Sequence, residues 1–228
     1  MADIFREVDE DIRHERYQKL WRRYRWWLIG SVAAMIVAVA AYEVIRERNS
    51  NKMEEASKKF AFALSELEEG RSNSAVDSFL DLADSTDLGY RALSLLRAAG
   101  VQIKNSNISQ AVAIYDRLAG DSRVDILYRE LAMFLAVQQL VDIAKPDEIL
   151  ERLSPLVNGM GPWRPLAIEL AGLAHIRAGR IEAAKRIFVD LYDDPGAPVN
   201  LRNRTQELLI SLGGAPGLGD SEQATELE

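Results

Sequence analysis

The sequence predicts an all-α protein: a single transmembrane helix followed by a solenoid of about four degenerate helix pairs and a capping helix. Three observations predict it. Ala, Leu, Glu and Arg, all strong helix formers, dominate the composition. An uncharged apolar run of membrane length lies near the N-terminus. Behind that run, an Ala followed four positions later by an aromatic ring recurs at steps near 36 residues or twice that. β-Branched residues form no alternating runs, so little reads as strand.

The first element is residues 1–25, a short amphipathic segment. Asp3 can cap a helix and Glu7 falls in its early turns. Ile4, Phe5, Val8 and Ile12 recur at helical spacing, and Leu20, Trp21 and Tyr24 continue a similar stripe. Such a segment lies on a leaflet, touches a partner, or serves as a solvated lead-in to an anchor, and the residues do not separate these.

The second element is the transmembrane helix, residues 26–45. Trp26–Tyr42 carry no charge over 17 residues, and Val44 and Ile45 extend the run past Glu43. At 1.5 Å per residue, 17 to 20 residues cover roughly 26–30 Å, close to the hydrocarbon thickness. Trp21, Tyr24, Trp26 and Trp27 crowd one end and Tyr42 stands at the other, as interfacial rings do. Arg16, Lys19, Arg22, Arg23 and Arg25 precede the run, whereas Arg46, Arg48 and Lys52 are interleaved with Glu43 and Glu47. The basic excess places the N-terminus in the cytoplasm and the rest across the membrane, which in a bacterium is the periplasm. A cleaved signal peptide is the rival, with Ala38-Val39-Ala40 as its site. The long lead-in, rich in acids, argues for an uncleaved anchor. A buried core helix is the weaker rival, since a run this long would need apolar neighbours all round. Gly30, Ala34 and Ala38 share one face and would let another membrane helix approach, although small residues are common in anchors generally.

The third element spans residues 51–212. Ala75 and Phe79, Ala111 and Tyr115, and Ala184 and Phe188 carry the signature, at steps of 36 and 73. Ile149 and Leu153 fill the missing copy, dividing the second step into 38 and 35. Longer helices are expected over about 51–69, 88–104, 123–143 and 163–178, and shorter ones over about 73–84, 108–119, 147–157 and 181–192. Turns at Gly70-Arg71-Ser72-Asn73, Asn105-Ser106-Asn107, Lys145-Pro146-Asp147 and Gly179-Arg180 join them. A last helix over about 199–212, with Leu201, Leu208, Leu209, Ile210 and Leu212, would cap the stack. The Gly-rich acidic stretch 213–228 reads as a disordered tail.

This alternation resembles the tetratricopeptide repeat, a helix–turn–helix of 34 residues. The last unit carries the resemblance furthest. Ala171-Gly172 stand at the family's Leu-Gly pair, His175 at its Tyr, Gly179 in its turn, and Ala184 and Phe188 at family spacing. The first unit keeps Gly70, Ala75 and Phe79. The family's Trp is missing and Pro195 is shifted. In the signature, the small residue admits the first helix of the pair and the ring fills the gap to the neighbouring pair.

Charge and chemistry narrow the function classes. There are 28 Lys+Arg and 35 Asp+Glu, a net charge of -7. Residues 1–48 hold 9 basic and 8 acidic side chains, and the remainder 19 and 27. An acidic repeat domain repels nucleic acid and anionic lipid. With no cysteine there is no disulfide, thiolate nucleophile or lipobox. No phosphate-binding Gly loop is present. His14 and His175, the only histidines, lie on opposite sides of the expected membrane and cannot form a metal site together. His175 reads as a packed polar residue, and Glu66, Glu68 and Glu69 as a solvated acidic surface. No catalytic constellation, cofactor site, metal site or small-molecule site is expected.

The domain order, and an opening MADIFREVDEDIRHERYQKLWRRY similar to alphaproteobacterial members, resemble the ancillary SecYEG translocon subunit family. That resemblance implies a non-enzymatic inner-membrane protein beside the export channel, with translocon subunits and periplasmic chaperones as partners. The alternatives are a scaffold of another envelope assembly (cell-wall synthesis, cell division or a secretion apparatus), a cytosol-facing adaptor of reversed topology, and an enzyme.

Overall fold

The computed structural model describes residues 2–86 and 89–214, with side chains in the N-terminal stretch only at positions 23, 26, 27, 29–31 and from 33 onward. The expected stripe of residues 1–25 and residues 215–228 of the expected tail fall outside these. Every regular element among the described residues is an α-helix. The chain divides into two compact units, residues 1–55 and 56–228.

The first unit is one helix, the greater part of α1 (Ala2–Glu68). Its apolar stretch is uncovered. Trp26, Trp27, Met35, Ile36, Val37, Val39 and Tyr42 are all exposed. The most apolar 18-residue window has a mean hydropathy of 1.7 and no share of it is buried, as a soluble core helix would require.

The second unit takes the end of α1 and adds α2 (Ser72–Ser85), α3 (Gly89–Lys104), α4 (Ile108–Ala119), α5 (Ile126–Leu140), α6 (Pro146–Val157), α7 (Arg164–Arg177), α8 (Ile181–Asp193) and α9 (Val199–Ser211). Successive helices pack on one another, the pairs being α1/α2, α3/α4, α5/α6 and α7/α8, with α9 against α8 and α7. No pair could bury its apolar face alone, so the core runs through the stack. Phe60, Ala63, Phe79, Leu95, Ala111, Tyr115 and Leu118 share its first part with Ala132 and Ala136 of α5. Phe134, Ile149, Leu153 and Ala174 form the next, and Ala184, Phe188 and Leu209 the last but one. Leu191, Ala197 and Leu201 close the far end.

Most helix bounds lie within two residues of expectation, but α1 runs unbroken through the segments expected as separate helices over 26–45 and 51–69, since no Gly or Pro interrupts residues 46–50, and α5 is shorter at both ends. Asp125 caps it by accepting the Leu127 N–H at 2.8 Å, so residues 123–125 belong to the loop. At the other end α5 stops at Leu140, where the Ile143 and Ala144 N–H groups both reach the Leu140 carbonyl and close a turn before Pro146 opens α6.

Three of the four intra-pair turns share one geometry. Gly70, Ser106 and Gly179 have φ of 79°, 61° and 72°. In each, the following residue's N–H reaches a carbonyl five residues back: Arg71 to Glu66 at 2.8 Å, Asn107 to Gln102 at 2.8 Å, Arg180 to His175 at 2.9 Å. This closes the helix end with a left-handed residue. Gly213 and Gly214 close α9 in the same way.

Candidate functional site

Ala75, Phe79, Ala111, Tyr115, Ala184 and Phe188 all lie in the core at 4% exposure or less. Ile149 and Leu153 are fully buried in the corresponding place. Burial pushes the Tyr115 hydroxyl pKa upward. Gly30, Ala34 and Ala38 are exposed, and nothing lies within 4 Å of where a Cβ on Gly30 would be.

The polar residues are organised by the repeat in three ways. The first is a clasp at the turns. Side chains five residues apart meet across the left-handed residue: Asn107 Nδ2 donates to Gln102 Oε1 at 2.9 Å, and Arg180 Nε to His175 Nδ1 at 3.1 Å. Arg71 Nε approaches Glu66 Oε1 at 3.9 Å. His175 is thus an acceptor held beside a guanidinium. Burial lowers its pKa first, and the charges of Arg180 and Arg186 lower it further against the pull of Asp147.

Glu66 corrects the expectation of a solvated acidic surface. It is 5% exposed and accepts the Ser78 hydroxyl at 2.7 Å, because it points back onto α2 while Glu68 and Glu69 face solvent. A carboxylate so placed is a structural acceptor between the two helices of the first pair.

The second is a rail along the second helices. Asp84 of α2 binds Arg117 of α4, Asp116 of α4 accepts from Arg152 of α6 at 3.1 Å, and Asp147 of α6 accepts from Arg180 beside α8 at 2.8 Å. These pairs are about one repeat apart in sequence. They are exposed and each contributes at most about 1 kcal/mol. A parallel link joins the cap, where Arg204 of α9 grips Glu169 of α7 at 2.5 and 2.7 Å.

The third is a clasp between the two ends of one helix pair. Arg91, near the start of α3, donates to Asp121, just beyond α4, at 3.2 Å. Arg164, at the start of α7, lies 3.5 Å from Asp194, just beyond α8. The Arg91 and Asp121 side chains are 6% and 11% exposed, and Arg123 adds three hydrogen bonds, from its backbone N–H at 3.1 Å and its side chain at 2.9 and 2.8 Å. These bonds, the Arg123 contact first, hold the Asp121 carboxyl at a pKa of about 2. Both clasps span 30 residues in sequence. That recurrence was open to a scan for like spacings of Arg and Asp, which a search for apolar signatures passes over.

The remaining surface offers contact area and little chemistry. Phe62, Leu93, Ile126, Leu127, Ile143 and Met160 are exposed apolar residues of the repeat stack. Cavities of about 620 Å³ and 550 Å³ lie at loops, the first lined by residues of 157–165 with Asp194 and Gly196, the second by the turns of the first two pairs. No group of three His, Cys, Asp or Glu side chains with metal-binding geometry occurs among the described residues.

A family model described as a tetratricopeptide repeat-like domain matches residues 18–206. The chain belongs to the tetratricopeptide repeat-like family. No curated protein and no solved structure matches it. Tetratricopeptide-like stacks are interaction modules as a class. The family match opens at Gln18, ahead of Trp26, so the apolar run falls within the matched span together with the repeats.

Proposed function

We propose that this protein is a membrane-tethered, non-enzymatic interaction module: an accessory subunit of the protein-export translocon that links it to periplasmic folding factors. The observation that carries the reading is the uncovered apolar run of α1 lying inside the same family match as the repeats. An apolar surface of that extent in water is costly at about 25 cal/mol per Å², and a bilayer removes the cost. The basic residues ahead of the run favour a cytoplasmic N-terminus, with the repeat stack in the periplasm and the chain in the bacterial inner membrane. Its partners on this reading are proteins: export-channel subunits and chaperones. Tethering raises the stack's effective concentration beside other membrane proteins without any new contact.

The test is extraction of the tagged full chain in mild detergent and identification of what co-purifies. Export-channel subunits are expected. Their absence, with other envelope proteins recovered instead, would assign the tether to a different assembly. A carbonate wash that releases the chain from membranes would remove the anchor from the proposal.

A further inference from the structure

One face of α3 carries a glycine that nothing inside the chain explains. Leu93, Arg97, Gly100 and Lys104 recur at helical spacing and so lie along one face of the helix. That face is open: Leu93 is 43% exposed, Arg97 and Lys104 are exposed, and Gly100 is half-buried. Glycine in a helix interior weakens the helix relative to alanine. The φ of Gly100 is not positive, so no left-handed conformation calls for it. Nothing lies within 4 Å of where a Cβ at 100 would be, whereas at Gly172 the Phe188 ring stands in the way. Gly100 precedes Ala111 as Leu64, Gln138 and Leu173 precede Ala75, Ile149 and Ala184, at the same interval in each pair. The glycine is therefore a notch in a row of side chains.

Arg97 and Lys104 bracket the notch, about one turn to either side. Neither makes a side-chain hydrogen bond or an ion pair with a described residue, whereas the guanidiniums of the rail and the clasps each meet an acid. Residues 49–228 hold 27 acidic and 19 basic side chains, so two unpaired cations on one face reverse the prevailing charge. Leu96 and Ile103 border the same face and are only partly buried.

We infer that this face of α3 docks an acidic amphipathic helix of a protein partner. The partner's backbone approaches over Gly100, its apolar residues cover Leu93, Leu96 and Ile103, and two of its carboxylates, two turns apart, pair with Arg97 and Lys104. The missing side chain lets two helices come close, and the cations stand at the matching interval for acids on a helix laid alongside. The inference rests on the stack being a polypeptide-binding surface and not on which partner it serves.

Two capped alanine-rich peptides of about 18 residues, long enough to be helical, test this. Both carry leucines on one face. One has a pair of glutamates two turns apart beside the leucines, and the other has lysines in their place. Binding to the full chain in a neutral detergent is measured by calorimetry, with protein-free micelles as the blank. Wild type should bind the glutamate peptide about tenfold more tightly than the lysine peptide, and added salt should shrink the difference. The double variant Arg97→Gln, Lys104→Gln should lose the preference. Gly100→Leu should weaken the glutamate peptide about tenfold and yet raise the melting temperature, because a side chain there displaces no neighbour and favours the helix. Equal binding of the two peptides, binding of neither, a preference that survives in the double variant, full affinity in Gly100→Leu, or a lowered melting temperature in Gly100→Leu overturns the surface. None of these readings uses the export-channel co-purification, which stands or falls separately.

Discussion

The ring of Phe188 lies directly over Gly172. A Cβ at 172 would stand 2.3 Å from the ring's Cε1 and 2.5 Å from its Cζ. The small residue of α7 and the ring of α8 are therefore one packing unit, with the ring fully buried. Gly172→Ala should destabilise the repeat stack by about 2 kcal/mol through overpacking. Phe188→Leu in the same chain should recover part of that loss, since it removes the atoms in conflict. Chemical denaturation of the two single variants and the double variant measures the coupling, and additive losses would mean the cost at 172 does not come from the ring.

Ser106 occupies a left-handed position that Gly fills in the equivalent turns. A side chain there costs about 1 kcal/mol against glycine. Ser106→Gly should raise stability by about 0.5–1 kcal/mol and Gly179→Ala should lower it by about 1 kcal/mol. Urea midpoints at unchanged slope provide the reading.

Asp121 is the acid on which Arg91 depends. Asp121→Asn leaves a nearly buried guanidinium facing an amide and should cost about 3 kcal/mol. The pH dependence follows from the direction of the shift. The folded carboxyl titrates at about 2, below its unfolded value, so its stabilisation is present above the unfolded value and is lost as pH falls toward 2. The variant should lack that part of the acid-side loss in thermal melts taken between neutral pH and pH 3.

His175 is held neutral and accepts from Arg180, with Asp147 and Arg186 as the other charges facing it. Its folded pKa lies below the unfolded value. Its contribution is thus complete above the unfolded value and declines as pH falls through it toward the folded one. His175→Asn, which keeps an acceptor and cannot protonate, should flatten the melting temperature between pH 7 and pH 5 relative to wild type.

Much of the fold was legible in the residues. The Ala and ring positions, the Gly of two turns and the length of the apolar run are local signals, and the helices they predict are present. Ile149 and Leu153 stood in for the signature because packing needs volume there, not aromaticity. The ends of α5 were misjudged because apolar residues continue on both sides of it, past Asp125's cap and into the turn that closes on the Leu140 carbonyl. Glu66 looked like one of three surface acids, and only the placement of α2 shows that Ser78 and Arg71 reach it.

By itself the sequence determined that this chain is helical, that one helix is apolar enough for a bilayer, and that its remaining helices pair at a near-constant step. Those properties follow from propensity and periodicity, which act over a few turns of chain. Which carboxylate meets which guanidinium was decided by the stacking. Side chains 30 or more residues apart come within bonding distance only when the pairs close and pack.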